Sequence, residues 1–233
     1  MILWIAVASY GAERELTNRT ASGFALVVAG LAGTSLVRPH VSLMLLSATA
    51  VGVLVRKPQS ITTVVGGRTV VRRIGSGAKV LAVVLVLVGG GFLATQTQRV
   101  LKLDDSSNDN VGAGLTVTEA QTSQGGSAFT PFTVRNPANY PPAFVTVLFR
   151  PFPFEARSLD SMQSAAEGVA LLVLLGVAAP RLAHLPSVLR RRPYTAYALA
   201  LVLVFVYAFS AVGNFGILAR QRTQALPLVF VLV

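Results

Sequence analysis

Cysteine is absent from the 233 residues, histidine occurs twice, and only nine residues are acidic. Disulfides and thiol chemistry are therefore excluded. A zinc site is improbable on so few ligand residues, and none is expected, nor any cofactor. Charge of either sign is also scarce: 12% of residues are Asp, Glu, Lys or Arg, against about 25% in an ordinary soluble domain. A soluble fold of this size needs a polar skin that such a composition does not supply. What is present in excess is apolar: 53% of the chain is hydrophobic, and mean hydropathy is +0.63.

The apolar residues fall in blocks. Segments 21–37, 41–55, 79–95, 165–179 and 194–213 read as membrane spans, while 1–12 and 225–233 are apolar but short of the ~20 residues a span needs. The expectation is an all-α fold, a polytopic transmembrane helical bundle with one long extracytoplasmic loop over 96–164. Because both ends stop inside apolar runs, the chain is expected to be part of a longer protein; the alternative is that both ends are half-helices packed in the bundle. Residues 1–12 lack the basic start of a secretory signal.

The net charge of +11 would favour nucleic acid on a soluble protein. Here the basic residues sit in short loops between apolar blocks, so membrane orientation and anionic lipid account for them, and no nucleic acid is expected. Loop 56–78 holds Arg56, Lys57, Arg68, Arg72 and Arg73, and loop 181–193 holds Arg181, Arg190, Arg191 and Arg192, with no acid in either. The positive-inside rule makes both cytoplasmic. Two spans separate them, so the parity agrees. Alternation then places 11–20 on the cytoplasmic face as well, and 38–40, 96–164 and 214–222 on the external face. Seven of the nine acids lie in or beside 96–164, which is consistent with that orientation.

The external segment has two halves. Residues 96–137 are rich in Ser, Thr, Asn and Gly and read as solvated loop; Asp104 to Asp109 lacks the spacing of a calcium loop. Six of the twelve Phe lie between Phe129 and Phe154. The apolar run 141–149 is too short to cross, and reads as an interfacial or re-entrant helix.

Arginines on the face that the positive-inside rule depletes are the most informative residues. Arg38, Arg135, Arg150, Arg157, Arg220 and Arg222 all fall there, and Arg38, Arg150, Arg157, Arg220 and Arg222 are the candidate ligands for a phosphate, because the guanidinium fork binds it bidentately. The plain alternative is that they snorkel to headgroups or pair with Glu155 and Asp160. His40 and Glu155 are candidate general bases; the alternatives are a polar residue at a helical-hairpin turn and an ion pair. His184 reads as a lipid-facing polar tip. Asn18-Arg19-Thr20 is a glycosylation sequon by pattern, on the face where it would not be used. Gly89 to Gly91 read as a helix-packing surface.

Three stretches, Val37-Arg38-Pro39-His40-Val41, Leu148-Phe149-Arg150-Pro151-Phe152-Pro153-Phe154-Glu155-Ala156, and Val212-Gly213-Asn214-Phe215-Gly216-Ile217-Leu218-Ala219-Arg220-Gln221-Arg222, together resemble a group of actinobacterial polytopic membrane proteins. That group looks distantly like the O-antigen polymerases and ligases of surface polysaccharide assembly. The resemblance implies a metal-free transfer of a polyprenyl-pyrophosphate-linked saccharide, with external arginines on the pyrophosphate and a large external loop over the site. Membrane lipid, such a glycan and other envelope-assembly proteins are the partners it implies. The competing expectation is a non-enzymatic scaffold or a transporter subunit of the cell envelope.

Overall fold

A computed structural model describes residues 1–57, 59–65, 68–74 and 110–233, with only the backbone for 59–65, 68–74 and 110–113. The expected span 79–95, its Gly89–Gly91 and the acidic stretch 104–109 lie outside the described residues. The chain divides into two compact units, one of residues 1–96 with 186–200 and one of residues 97–185 with 201–233.

The first unit is built on α1 (Ile2–Asn18), α2 (Ala21–Val37) and α3 (Pro39–Val55). Small residues set its packing. A Cβ on Gly30 would lie 2.6 Å from the Cβ and the backbone N of Ala8, one on Gly11 2.7 Å from the N of Val27, and one on Gly23 2.7 Å from the N of Glu15. Such pairing makes α1 and α2 antiparallel and brings their backbones close, the device by which apolar helices associate without a hydrophobic drive. Arg19, with φ 55°, closes α1, and the Thr20 side chain caps α2 by accepting from Gly23 N at 3.1 Å. Between α2 and α3 a single residue, Arg38, is extended, and Pro39 starts α3 where its missing N–H costs nothing. Buried Thr34 and Ser42 hydrogen-bond across that turn at 2.6 Å.

The other end of this unit gathers its polar groups. Arg56 donates to the Glu15 carboxylate at 3.1 Å and to the Glu15 carbonyl at 2.8 Å, and Arg19 donates to the Lys57 carbonyl at 2.8 Å. A Cβ on Gly52 would stand 3.3 Å from the Pro193 carbonyl. The α1–α2 turn, the end of α3 and the start of the helix at Pro193 therefore share one end. Ser9 and the fully buried Tyr197 hydrogen-bond at 3.0 Å further along.

The described residues are predominantly helical, as expected, and the basic linker 56–78 adds one hairpin. β1 (Gln59–Val65) and β2 (Arg68–Ile74) pair antiparallel, Val65 opposite Arg68 and Gln59 opposite Ile74. The sequence carries the reason: β-branched runs flank a Gly66-Gly67 pair, the signal for a two-residue hairpin.

The second unit contains α4 (Asn110–Thr122), a short 3₁₀ turn, α5 (Tyr140–Phe149), α6 (Leu159–Leu182), and α9 (Phe215–Arg222) and α10 (Leu226–Leu232). Before the last two come α7 (Leu185–Leu189) and α8 (Pro193–Phe209). The start of α8 belongs to the first unit and its end to the second. Helix α4 falls where a solvated loop was expected. Its glycines and β-branched residues are weak helix formers, and tertiary contacts override them: Leu115 is buried, Thr122 accepts from Gly213 N at 3.0 Å, and Glu119 accepts from Thr133 at 3.1 Å. The 194–213 block is also shortened, its helix ending at Phe209 before a turn that Ser210 closes on Val134 N at 3.1 Å.

Among the described residues, α6 alone is long and apolar enough to cross a membrane: it has 24 residues, and only 22% of its apolar window is buried. A membrane location is compatible with that helix. Helices α2, α3 and α8 are apolar and 17 residues each.

Candidate functional site

Two of the three motif stretches meet in the second unit. The chain at 122–134 lies along 210–215. Phe129 N donates to the Gly213 carbonyl at 2.9 Å and Phe215 N to the Ser127 carbonyl at 3.1 Å. Gly213 is required there, since a Cβ would fall 2.2 Å from Ser123 Oγ and 2.8 Å from the Phe129 carbonyl. Asn214 then starts α9: its Oδ1 accepts from Gly216 N and Ile217 N, at 3.0 and 3.3 Å, and from Ser127 Oγ at 3.0 Å. The result stacks Phe129 on Phe215, centroids 4.4 Å apart and 9° from parallel.

Arg150 sits over both rings, its guanidinium carbon 4.5 Å from the Phe129 centroid and 5.2 Å from that of Phe215. Its Nε donates to both Glu155 carboxylate oxygens, at 3.0 and 3.1 Å, and Nη2 also donates to Glu155. Phe152 N donates to the same carboxylate at 2.9 Å. Burial raises the Glu155 pKa, but the hydrogen bonds from Arg150 and Phe152 and the charge of Arg150 outweigh it, leaving the value below 4.5. A carboxylate so held is a weak base. Of its two expected roles, the geometry supplies the ion pair.

Arg222 is more deeply placed, only 1% exposed. Nη1 donates to the Leu148 carbonyl at 3.0 Å; Nη2 donates to the Ser164 carbonyl at 3.1 Å and to Glu167 at 3.2 Å. Leu148 stands in the last turn of α5, whose final carbonyls have no helical partner, so the guanidinium both satisfies one of them and faces the negative end of the helix. Gly168 makes room: a Cβ there would lie 2.3 Å from the Phe149 carbonyl and 3.5 Å from Arg222 Nη1. Burial lowers the Arg222 pKa, and Glu167 opposes that shift. The Nε atom has no hydrogen-bond partner among the described residues.

The other candidate arginines differ. Arg157 and Arg220 are exposed, and neither guanidinium makes a hydrogen bond or ion pair with a described residue. Arg157 follows Glu155 by two positions. Arg220 precedes Arg222 by two on α9, about 200° around the helix, so it faces outward while Arg222 faces in. Asp160, expected as a partner for these arginines, lies in the first turn of α6, where its charge suits the helix N-terminus. Arg38 and His40 belong to the first unit, at the α2–α3 turn, and are half-buried there.

The structure thus joins Arg150, Glu155 and Arg222 in one framework and leaves Arg157 and Arg220 facing out from it. Glu167 escaped sequence reasoning as a site residue because it lies at the edge of an apolar block. An acid next to a glycine there, in Glu167-Gly168, was the available signal. Phe129 and Phe215 were legible only as part of an aromatic enrichment. Among the described residues no group of three metal-ligating side chains comes together. Comparison with protein-family models, with curated proteins and with solved structures gives no match.

Proposed function

We propose that the chain is a multi-pass membrane protein that binds a polyprenyl-pyrophosphate-linked saccharide at its external face and takes part in surface polysaccharide assembly. Helices of 17 residues rise about 25 Å, at the lower limit for crossing hydrocarbon. The gathering of Glu15, Arg19, Arg56 and Lys57 at one end of the first unit, beside Pro193, is what a bundle with its basic loops on one face requires.

The observation that carries the functional reading is the division of labour among four arginines. Arg150 and Arg222 are committed to carboxylates and carbonyls of the chain itself, which fixes the segments on which Arg157 and Arg220 stand exposed. An exposed guanidinium on a rigid support is suited to bidentate binding of a phosphate. In the transfer itself, the acceptor hydroxyl oxygen bonds to the anomeric carbon as the bond to the pyrophosphate breaks. The pyrophosphate leaves with the electron pair, and the hydroxyl proton passes to solvent. Arginine charge stabilises the leaving group, so electrostatics rather than a strong base lowers the barrier.

The test is the chain length of surface polysaccharide in cells carrying Arg157→Lys, Arg220→Lys or the corresponding Ala changes at matched membrane abundance. Lys keeps the charge but loses the fork, so at least one Lys variant should shorten or abolish the polymer. A lost charged contact to the transition state costs on the order of a hundredfold in rate. Normal polymer in both Ala strains refutes the transfer reading. That outcome favours the scaffold alternative, for which the internal commitment of Arg150 and Arg222 already speaks.

A further inference from the structure

We infer that Phe154, with Leu159 and Met162 at the start of α6, forms an anchor that inserts into the headgroup–acyl boundary of the membrane. The inference rests on the reading that α6 crosses the bilayer, and it assigns the insertion to a segment other than the 141–149 run that the sequence suggests.

That run is turned inward. Ala143, Thr146, Val147, Leu148 and Phe149 of α5 are all buried in the second unit. The next segment, by contrast, is turned outward. Phe154 is 85% exposed and Leu159 85% exposed, with Met162 at 58%. Phe154 is also not a loose side chain. It stacks on Phe152, centroids 5.4 Å apart, in a turn closed by Glu155 N donating to the Phe152 carbonyl at 2.9 Å, and by the Arg150–Glu155 pair. The Ser158–Ser161 capping box then starts α6 immediately after it, with Ser161 N donating to Ser158 Oγ at 3.3 Å and Ser158 N donating to Ser161 Oγ at 2.8 Å.

Helix geometry sets the depth. Leu159, Met162, Val169, Val173 and Val177 are exposed apolar residues, and at 100° per residue they form one stripe along α6. The opposite face carries Ser164, Gly168 and Leu171 toward the unit's interior. The patch is therefore the end of a continuous apolar face. Arg181 closes the far end of that helix. From Arg181 back to Leu159 the helix rises about 33 Å, a little more than the ~30 Å of hydrocarbon. With Arg181 among the headgroups of one leaflet, Leu159 and Phe154 come to the boundary of the other, the depth that aromatic rings favour.

The chain has one tryptophan, Trp4, so a Trp4→Phe background allows single reporters in the full chain. Phe154→Trp, Val173→Trp and Gln121→Trp are each placed in it and reconstituted in vesicles of phosphatidylcholine and phosphatidylglycerol containing brominated lipid. Phe154→Trp should emit to the blue of water and be quenched most by bromine near the headgroup. Val173→Trp should be quenched most by bromine deep in the acyl chain, and Gln121→Trp, on an exposed polar site, should not be quenched. Quenching at Val173 with water-like, unquenched emission at Phe154 overturns the anchor and leaves the crossing of α6 standing; it is also what a protein-docking patch would give. No quenching at Val173 overturns both.

Discussion

Replacing Arg222 by Met asks whether a buried guanidinium holds the second unit together or merely occupies it. Methionine keeps much of the volume and supplies no donor. The Leu148 carbonyl then loses its 3.0 Å partner in the last turn of α5. A buried carbonyl left unpaired costs about 1–3 kcal/mol. The Ser164 carbonyl loses less, because it lies inside α6 and has a helical donor. Glu167 also loses its partner, but it is 49% exposed, so that loss is discounted. Against these losses stands a gain: the variant no longer desolvates a cation whose Nε is unpaired, and buried ion pairs can be replaced by apolar groups without loss. The balance favours the native residue by about 2 kcal/mol. At roughly 2–4 °C per kcal/mol for a chain of this size, Tm in detergent micelles should fall by about 4–8 °C. Arg222→Lys, with one point charge in place of a fork that reaches three acceptors, should lie between the two. A Met variant as stable as the native protein, or more so, would refute the reasoning and show that desolvation outweighs the hydrogen bonds.

Gly30→Leu should part α1 from α2, because even a Cβ meets Ala8 backbone at 2.6 Å; overpacking of this kind costs about 1–3 kcal/mol or more, read as a lower Tm and as loss of crosslinking between cysteines placed at Ala8 and Val27. Glu155 has a folded-state pKa below its ordinary 4.5, so its stabilisation is present above that value and is lost as pH falls through the folded pKa. Glu155→Gln should therefore flatten the stability profile below pH ~4.5, and an unchanged acid limb would show that the pair with Arg150 contributes nothing.

Apolar block lengths made the helices legible, because a run of 15 or more apolar residues leaves the backbone few other ways to satisfy its hydrogen bonds. The α2–α3 turn was readable to within two residues: Pro39 bars Arg38 from a helix, but the next block was expected from Val41 and its helix starts at Pro39. The β1–β2 hairpin was present in the sequence as β-branched runs on either side of Gly66-Gly67, whereas Arg68, Arg72 and Arg73 fit a cytoplasmic loop equally well. Helix α4 was not legible: Leu115 and Thr122 gain from tertiary contacts that no local pattern records. The arginines divide in the same way. Loop parity supplies only an expected side for them, whereas the commitment of Arg150 to two phenyl rings, and of Arg222 to a carbonyl 74 positions away, depends on which segments the fold brings together.

The proposed function depends on a bundle that presents Ser127, Arg157 and Arg220 outside the cell and the Glu15–Arg56 end inside. The absence of native cysteine makes the measurement clean: single Ser127→Cys and Asn18→Cys variants, both at exposed positions, treated with a membrane-impermeant maleimide in intact cells and again after lysis. Ser127→Cys should be labelled in intact cells, and Asn18→Cys only after lysis. Labelling of Asn18→Cys in intact cells with Ser127→Cys protected would invert the orientation and place the arginines on the wrong face for an external lipid-linked pyrophosphate.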